Sequence, residues 1–260
     1  MPSEQNKNFA IIFPGRTGCT FTMHSINKNK NVSILLEPLP NNAREIIEQY
    51  NKESNTDYKL INIKRAVESN TVPYGMSLLM KLIAKSQENI LRDFYSRKRP
   101  TTEVCGTNIQ LADVMDHDKF IKMMQEYNVQ IIVYTRQNII KHYVSWRNLR
   151  IRIKHGNKQV EPYTVDIDHL KLYLAKENVN DKHVNFVKKI GNPYMVTSYE
   201  EFLENKKRNI RNICNFVGFK HCGELSKMTK KTNDDLKKSI KNYEEVAQVL
   251  KNTKFEWMLK

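Results

Sequence analysis

Short, nearly continuous apolar runs alternate along this chain with longer stretches of helical periodicity, and that alternation constrains the fold most. Residues 9–13 (FAIIF), 32–36 (VSILL), 129–135 (VQIIVYT) and 193–198 (PYMVTS) read as strands, and TEVCG around Val104 reads as a weaker one. Uninterrupted apolar strands suit a sheet covered on both faces, and helices between strands imply parallel connections. Leu79, Leu82, Ile83 and Ile90 share one helical face. Ile210, Ile213, Cys214 and Val217 follow helical spacing up to a C-cap glycine, Gly218, and Tyr243, Val246, Ala247 and Leu250 do the same near the end. The expected architecture is α/β, a single domain over residues 1–260 with a parallel β-sheet flanked by helices. Residues 41–73 read as polar and irregular, and 223–238 as strongly basic.

Lys and Arg number 43 against 28 Asp and Glu, a net charge of +15, so an anionic partner is implied. No RNA- or DNA-binding module is visible, and the basic residues are dispersed rather than striped, which argues against a nucleic-acid-binding protein. Four cysteines, Cys19, Cys105, Cys214 and Cys222, form no Cys-x-x-Cys pair, so zinc is not expected, and no ligand cluster for another metal is visible. There is no secretory pattern and no run long enough to span a bilayer. A soluble, cytoplasmic protein with free thiols and no membrane partner is the expectation.

Directly after the first strand comes Phe13-Pro14-Gly15-Arg16-Thr17-Gly18-Cys19-Thr20-Phe21, running into a helix. Two glycines permit backbone geometry other residues resist. The hydroxyls of Thr17 and Thr20, the Arg16 cation and the N–H groups of a helix start together make an anion cradle. The loop lacks the Gly-Lys-Ser/Thr ending of a Walker A motif, which counts against the alternative of a nucleotide kinase or ATPase. It also lacks the third glycine of a dinucleotide fingerprint.

This loop resembles the 5′-phosphosulfate loop of sulfotransferases that use 3′-phosphoadenosine 5′-phosphosulfate (PAPS). Arg16 falls on the family's basic position, Thr17, Gly18, Thr20 and Phe21 on the following ones, and Cys19 replaces the usual Ser or Thr. After the strand ending at Thr135, Arg136 and Ser145 resemble the family's Arg and Ser that hold the 3′-phosphate, and a guanidinium suits that task by bidentate geometry. Tyr199-Glu200-Glu201-Phe202-Leu203, Phe216 to Phe219 and residues 240–255 extend the resemblance, which is strongest to bacterial and carbohydrate-type members. It implies a P-loop-NTPase-like sulfotransferase fold, PAPS as donor and 3′,5′-ADP as product. It places Tyr199 at the adenine and Lys230, in the basic stretch, at the 3′-phosphate side. Residues 41–100 lie outside the resemblance and are the expected acceptor-side cap.

Sulfuryl transfer needs positioning and charge neutralisation, as phosphoryl transfer does. Arg16 is the expected catalytic cation at the bridging oxygen. An acceptor hydroxyl also needs a base. Glu37, in Leu36-Glu37-Pro38, ends the second strand at the sheet's carboxyl edge and resembles the catalytic Glu-Pro setting of carbohydrate-type members. The family's Lys after the third strand is absent, with Asn108 near its place, and His24 and His142 read as packing residues. The expected acceptor is a hydroxyl, or an amine, of a glycan or small-molecule natural product.

Overall fold

The computed structural model describes residues 7–54, 56, 59–60, 63, 76–97, 101–154, 161–175, 179–219, 225–227 and 235–259. Five strands form one parallel sheet: β1 (Lys7–Ile12), β2 (Val32–Leu36), β3 (Val104–Ile109), β4 (Gln130–Thr135) and β5 (Tyr194–Ser198), in the order β2-β3-β1-β4-β5. The chain leaves β1 towards β2 on one side and β4 towards β5 on the other. The topological switch point is therefore the crevice outside the carboxyl ends of β1 and β4, where open α/β sheets place ligands.

The two-residue period of a strand explains how the sheet is buried twice. Ala10, Ile12, Ile131 and Val133 enter the core on one face, and Phe9, Ile11, Ile132 and Tyr134 enter the core on the other. Each fully buried Ile or Phe contributes roughly 1.5–3 kcal/mol. The first core is closed by α3 (Ser77–Ser96), α4 (His117–Glu126) and α7 (Val179–Ile190) through Leu91, Phe120 and Val187. The second is closed by α1 (Cys19–Ile26) and α9 (Lys206–Val217) through Met23 and Ile213.

Strand β3, paired between β1 and the edge strand β2, is the least apolar. All six of its residues are buried. Gly106 is needed there because a Cβ would lie 2.2 Å from the Phe9 ring, and the Thr107 hydroxyl donates to the Leu35 carbonyl at 2.8 Å. Across the sheet, the Tyr134 hydroxyl pairs with Thr22 at 2.7 Å and with Asn209 at 3.0 Å, which satisfies a buried polar group.

Helix α2 (Pro38–Ser54) corrects the reading of residues 41–54 as irregular. Pro38 opens it, where a missing N–H costs nothing. Ala43 and Ile47 of α2 pack with Met76, Leu79 and Ile83 in a small core of their own. Leu82 is 45% exposed, contrary to its placement on the buried face. A third core joins α5 (Ile139–Lys154), α6 (Ile167–Ala175), the short α10 (Leu236–Ser239) and α11 (Tyr243–Leu250) through Tyr143, Leu170, Leu236 and Val246. Gly218 is the left-handed C-cap of α9, at φ 81°. Cys19 and Cys105 are buried thiols outside any disulfide, but Cys214 is disulfide-bonded, a correction to the expectation of free thiols throughout. Among the described residues no helix is long and apolar enough to cross a membrane, and no group of His, Cys, Asp or Glu is placed to hold a metal.

Candidate functional site

The loop after β1 is built from backbone that few residues adopt. Gly15, Arg16 and Gly18 all have positive φ, at 86°, 52° and 78°. Arg16 is a cationic side chain held in the left-handed region, the kind of strain that clusters at functional sites. Gly18 is the N-cap of α1 and offers no side-chain cap, so the first N–H groups of that helix have no intrahelical partner. A Cβ at Gly18 would lie 3.0 Å from the Tyr199 ring, so the loop and Tyr199 pack directly together.

Two further segments close on this loop across the switch point. Arg16 donates from Nε to Ser145 Oγ at 3.1 Å, and Arg136 donates from Nη1 to the Arg16 carbonyl at 2.8 Å. The Arg136 guanidinium lies 4.5 Å above the centre of the Tyr199 ring, a cation–π contact. Arg136 and Ser145 are each only 5% exposed. Neither Arg16 nor Arg136 forms an ion pair with a described residue. The nearby Glu200 carboxylate accepts instead from the N–H groups of Gln137 and Asn138, at 3.0 and 3.1 Å, fixing the turn that carries Arg136. Burial lowers the pKa of both guanidiniums; Arg152 adds to that at Arg16, while Tyr199 and then Glu200 oppose it at Arg136. The buried Arg136 Nε and the buried Thr17 hydroxyl have no hydrogen-bond partner.

His142 braces the same loop from below. Its Nε2 meets the Gly15 carbonyl at 3.0 Å and its Nδ1 meets the Tyr173 hydroxyl at 2.9 Å. A carbonyl can only accept, so Nε2 carries the proton and Nδ1 accepts from Tyr173. Burial, reinforced by Arg136, pushes the imidazole pKa down to about 4, so the ring is neutral between two arginines.

The third wall is at β2 and β3. Glu37 sits just past β2 with φ 41°, a second non-glycine residue held left-handed. Asn108, fully buried at the carboxyl end of β3, accepts the Glu37 N–H at 2.8 Å. Its Nδ2 approaches Glu37 Oε1 at 3.5 Å and Cys19 Sγ at 3.9 Å. Burial, then the Glu37 charge, pushes the Cys19 thiol up to about 12, so it is no nucleophile.

Contacts therefore bring Arg16, Thr17, Gly18, Cys19, Arg136, Ser145, Tyr199 and Glu37 together at the carboxyl edge of the sheet, although 183 positions separate the outermost two in sequence. Thr20 follows on the first turn of α1. Phe21 is more a wall than a ligand: its ring meets Phe202 edge-on at 5.3 Å, with Lys206 Nζ 5.4 Å from its centre. Lys230 lies outside the described residues. The sequence did not single out Asn180, which bonds the Arg136 main chain on both sides, or Tyr173, and it placed His142 outside the site. Only the capping residue Glu200 lay within a quoted motif.

Fold and geometry define an α/β protein with Arg16 and Arg136 drawn together at the switch point of a parallel sheet. Among solved structures the chain is similar to a sulfotransferase from Alicyclobacillus acidocaldarius, at 13% identity over 94% of this chain and 91% of that one, with a TM-score of 0.45. It is also similar to the sulfotransferase domain of the curacin biosynthetic pathway, at 14% identity over 88% and 81%, with a TM-score of 0.48. Mouse sulfotransferase SULT7A1 complexed with PAP is similar at 13% identity over 83% and 60%, with a TM-score of 0.33. No protein-family model matches the sequence, and no curated protein matches it.

Proposed function

We propose that this chain is a PAPS-dependent sulfotransferase that moves a sulfuryl group to a hydroxyl, or an amine, of a glycan or small-molecule natural product. The observation that carries the reading is the pair Arg16 and Arg136. Two guanidiniums are drawn together over one strained loop, neither paired with a described carboxylate, and burying an unpaired charge is costly. A ligand with several negative charges offsets that cost.

The residues fit such a ligand. The orphaned Arg136 Nε and Thr17 hydroxyl, and the open N–H groups at the start of α1, are all donors or acceptors awaiting a partner. PAPS supplies the sulfuryl group and a phosphate leaving oxygen. In our reading Arg136 and Ser145 hold the 3′-phosphate, with Lys230 contributing from the basic stretch. Thr17, Thr20 and the N–H groups from Gly18 to Thr20 hold the 5′ side, while the Phe21 N–H is taken by the Gly18 carbonyl at 3.0 Å. Arg16 neutralises charge that grows on the leaving oxygen, and Glu37 takes the acceptor's proton. Tyr199 holds Arg136 against the loop through its ring. Residues 41–100 supply the acceptor-side cap in our reading, where α2 and the start of α3 share a small core of their own.

Thermal unfolding tests this against the kinase and nucleic-acid readings. A ligand at about 100 times its Kd adds about 2.7 kcal/mol of stability. Selective stabilisation by 3′,5′-ADP supports the sulfotransferase. Stabilisation by ATP with magnesium supports a kinase. A response to a DNA oligomer alone, lost with salt, supports nucleic-acid binding.

A further inference from the structure

We propose that Asn108 is the positioning residue for Glu37, fixing both the backbone conformation and the carboxylate of the base. The inference rests on the reading of Glu37 as that base. One carboxamide touches three groups at the crevice: the Glu37 N–H at 2.8 Å, Glu37 Oε1 at 3.5 Å and Cys19 Sγ at 3.9 Å. The orientation of the amide is determined by chemistry. An N–H can only donate, so the oxygen must face Glu37 N, and the NH₂ is left to donate to the carboxylate.

Glu37 needs such a clamp. It is a non-glycine residue at φ 41°, immediately after an edge strand whose pairing to β3 ends at Leu36↔Asn108. The ladder supplies no further bond to hold it, so the side chain of the last paired residue does. Asn108 is itself fully buried in a strand paired on both sides, which gives the carboxamide a fixed origin. A residue held by main chain and side chain together points its carboxylate in one direction, and misplacement by about 1 Å can cost roughly 10²-fold in rate. Glu37 acts electrostatically on both Arg16 and Cys19, and the high pKa of the thiol keeps Cys19 neutral.

The experiment is a double-mutant cycle on turnover, using whichever acceptor supports transfer from PAPS. Asn108→Ala should lower kcat roughly 10–10²-fold, while the KM for PAPS and the affinity for 3′,5′-ADP change less than about threefold. Glu37→Gln alone should lower kcat further, and Asn108→Ala in the Glu37→Gln background should add almost nothing, because Asn108 acts through Glu37. Should Asn108→Ala not fold, Asn108→Leu carries the same cycle. It keeps nearly the volume of the carboxamide and removes its acceptor and donors without placing a second carboxylate beside Glu37. Additive losses, or a loss confined to KM, would overturn the inference while leaving Glu37 as base. Full activity of Glu37→Gln would remove the base reading itself, and the inference with it.

Discussion

Arg136 donates from Nη1 to the main-chain carbonyl of Arg16 at 2.8 Å, so the turn after β4 holds the loop after β1 in its left-handed conformation. The link runs from a side chain to a backbone carbonyl, not between charges. It leaves both guanidiniums available to an anion while fixing the spacing between them. Ser145, in the helix that follows Arg136, ties back to the Arg16 side chain, so the three segments are joined by hydrogen bonds.

Arg16→Ala should lower turnover by about 10²–10³-fold, the usual scale for one transition-state donor, while weakening 3′,5′-ADP binding much less. Steady-state kinetics beside calorimetric titration of 3′,5′-ADP check this. A loss confined to binding would make Arg16 a ligand for the nucleotide alone.

His142 predicts a pH dependence of stability. Its pKa falls from an ordinary value near 6.5 to about 4 in the folded chain, so between those limits the unfolded state binds more protons. Stability therefore rises with pH through this window, and is lost as pH falls from about 6.5 towards 4, by at most on the order of 3 kcal/mol. Urea unfolding from pH 4.5 to 7.5 should show a shallower dependence in His142→Gln than in wild type. Gln still reaches the Gly15 carbonyl with an amide donor but cannot titrate. Parallel profiles would mean that the imidazole is not the group responsible.

Much of this arrangement was legible in the sequence. The run VQIIVYT became β4 because six β-branched or aromatic residues among seven leave little alternative. The loop residues Arg16 to Gly18, and Arg136 with Ser145, converge as their order after two strands suggests. Strand β3 was understated because Gly106, Thr107 and Asn108 look like turn residues. They are buried because tertiary partners use their small size and polar groups, which no local pattern reveals. Helix α2 does not stand out although Ala43, Ile46, Ile47 and Tyr50 carry helical spacing, because polar residues surround them and two prolines, Pro38 and Pro40, lie in its first turn. The brace from Tyr173 through His142 to Gly15 joins segments that only the sheet topology brings together.

Glu37→Gln should reduce turnover of an ordinary alcohol acceptor by roughly 10²–10⁴-fold, with 3′,5′-ADP affinity and folding nearly unchanged. Glu37→Asp should keep part of the activity, since the base remains but is withdrawn by one methylene. Wild-type turnover in Glu37→Gln would make Glu37 a structural carboxylate.

The central claim is that buried Arg136, beside half-buried Arg16, reads a nucleotide carrying a 3′-phosphate. Calorimetric titration of 3′,5′-ADP and 5′-AMP into the wild-type chain and Arg136→Ala tests it most directly. A charge-assisted contact of this kind is worth roughly 1.5–3 kcal/mol, so 3′,5′-ADP should bind wild type about 10–150 times more tightly than 5′-AMP. Arg136→Ala should erase most of that preference while changing 5′-AMP affinity much less. Equal affinities of the wild-type chain for the two nucleotides, or a preference that survives Arg136→Ala intact, would contradict the account.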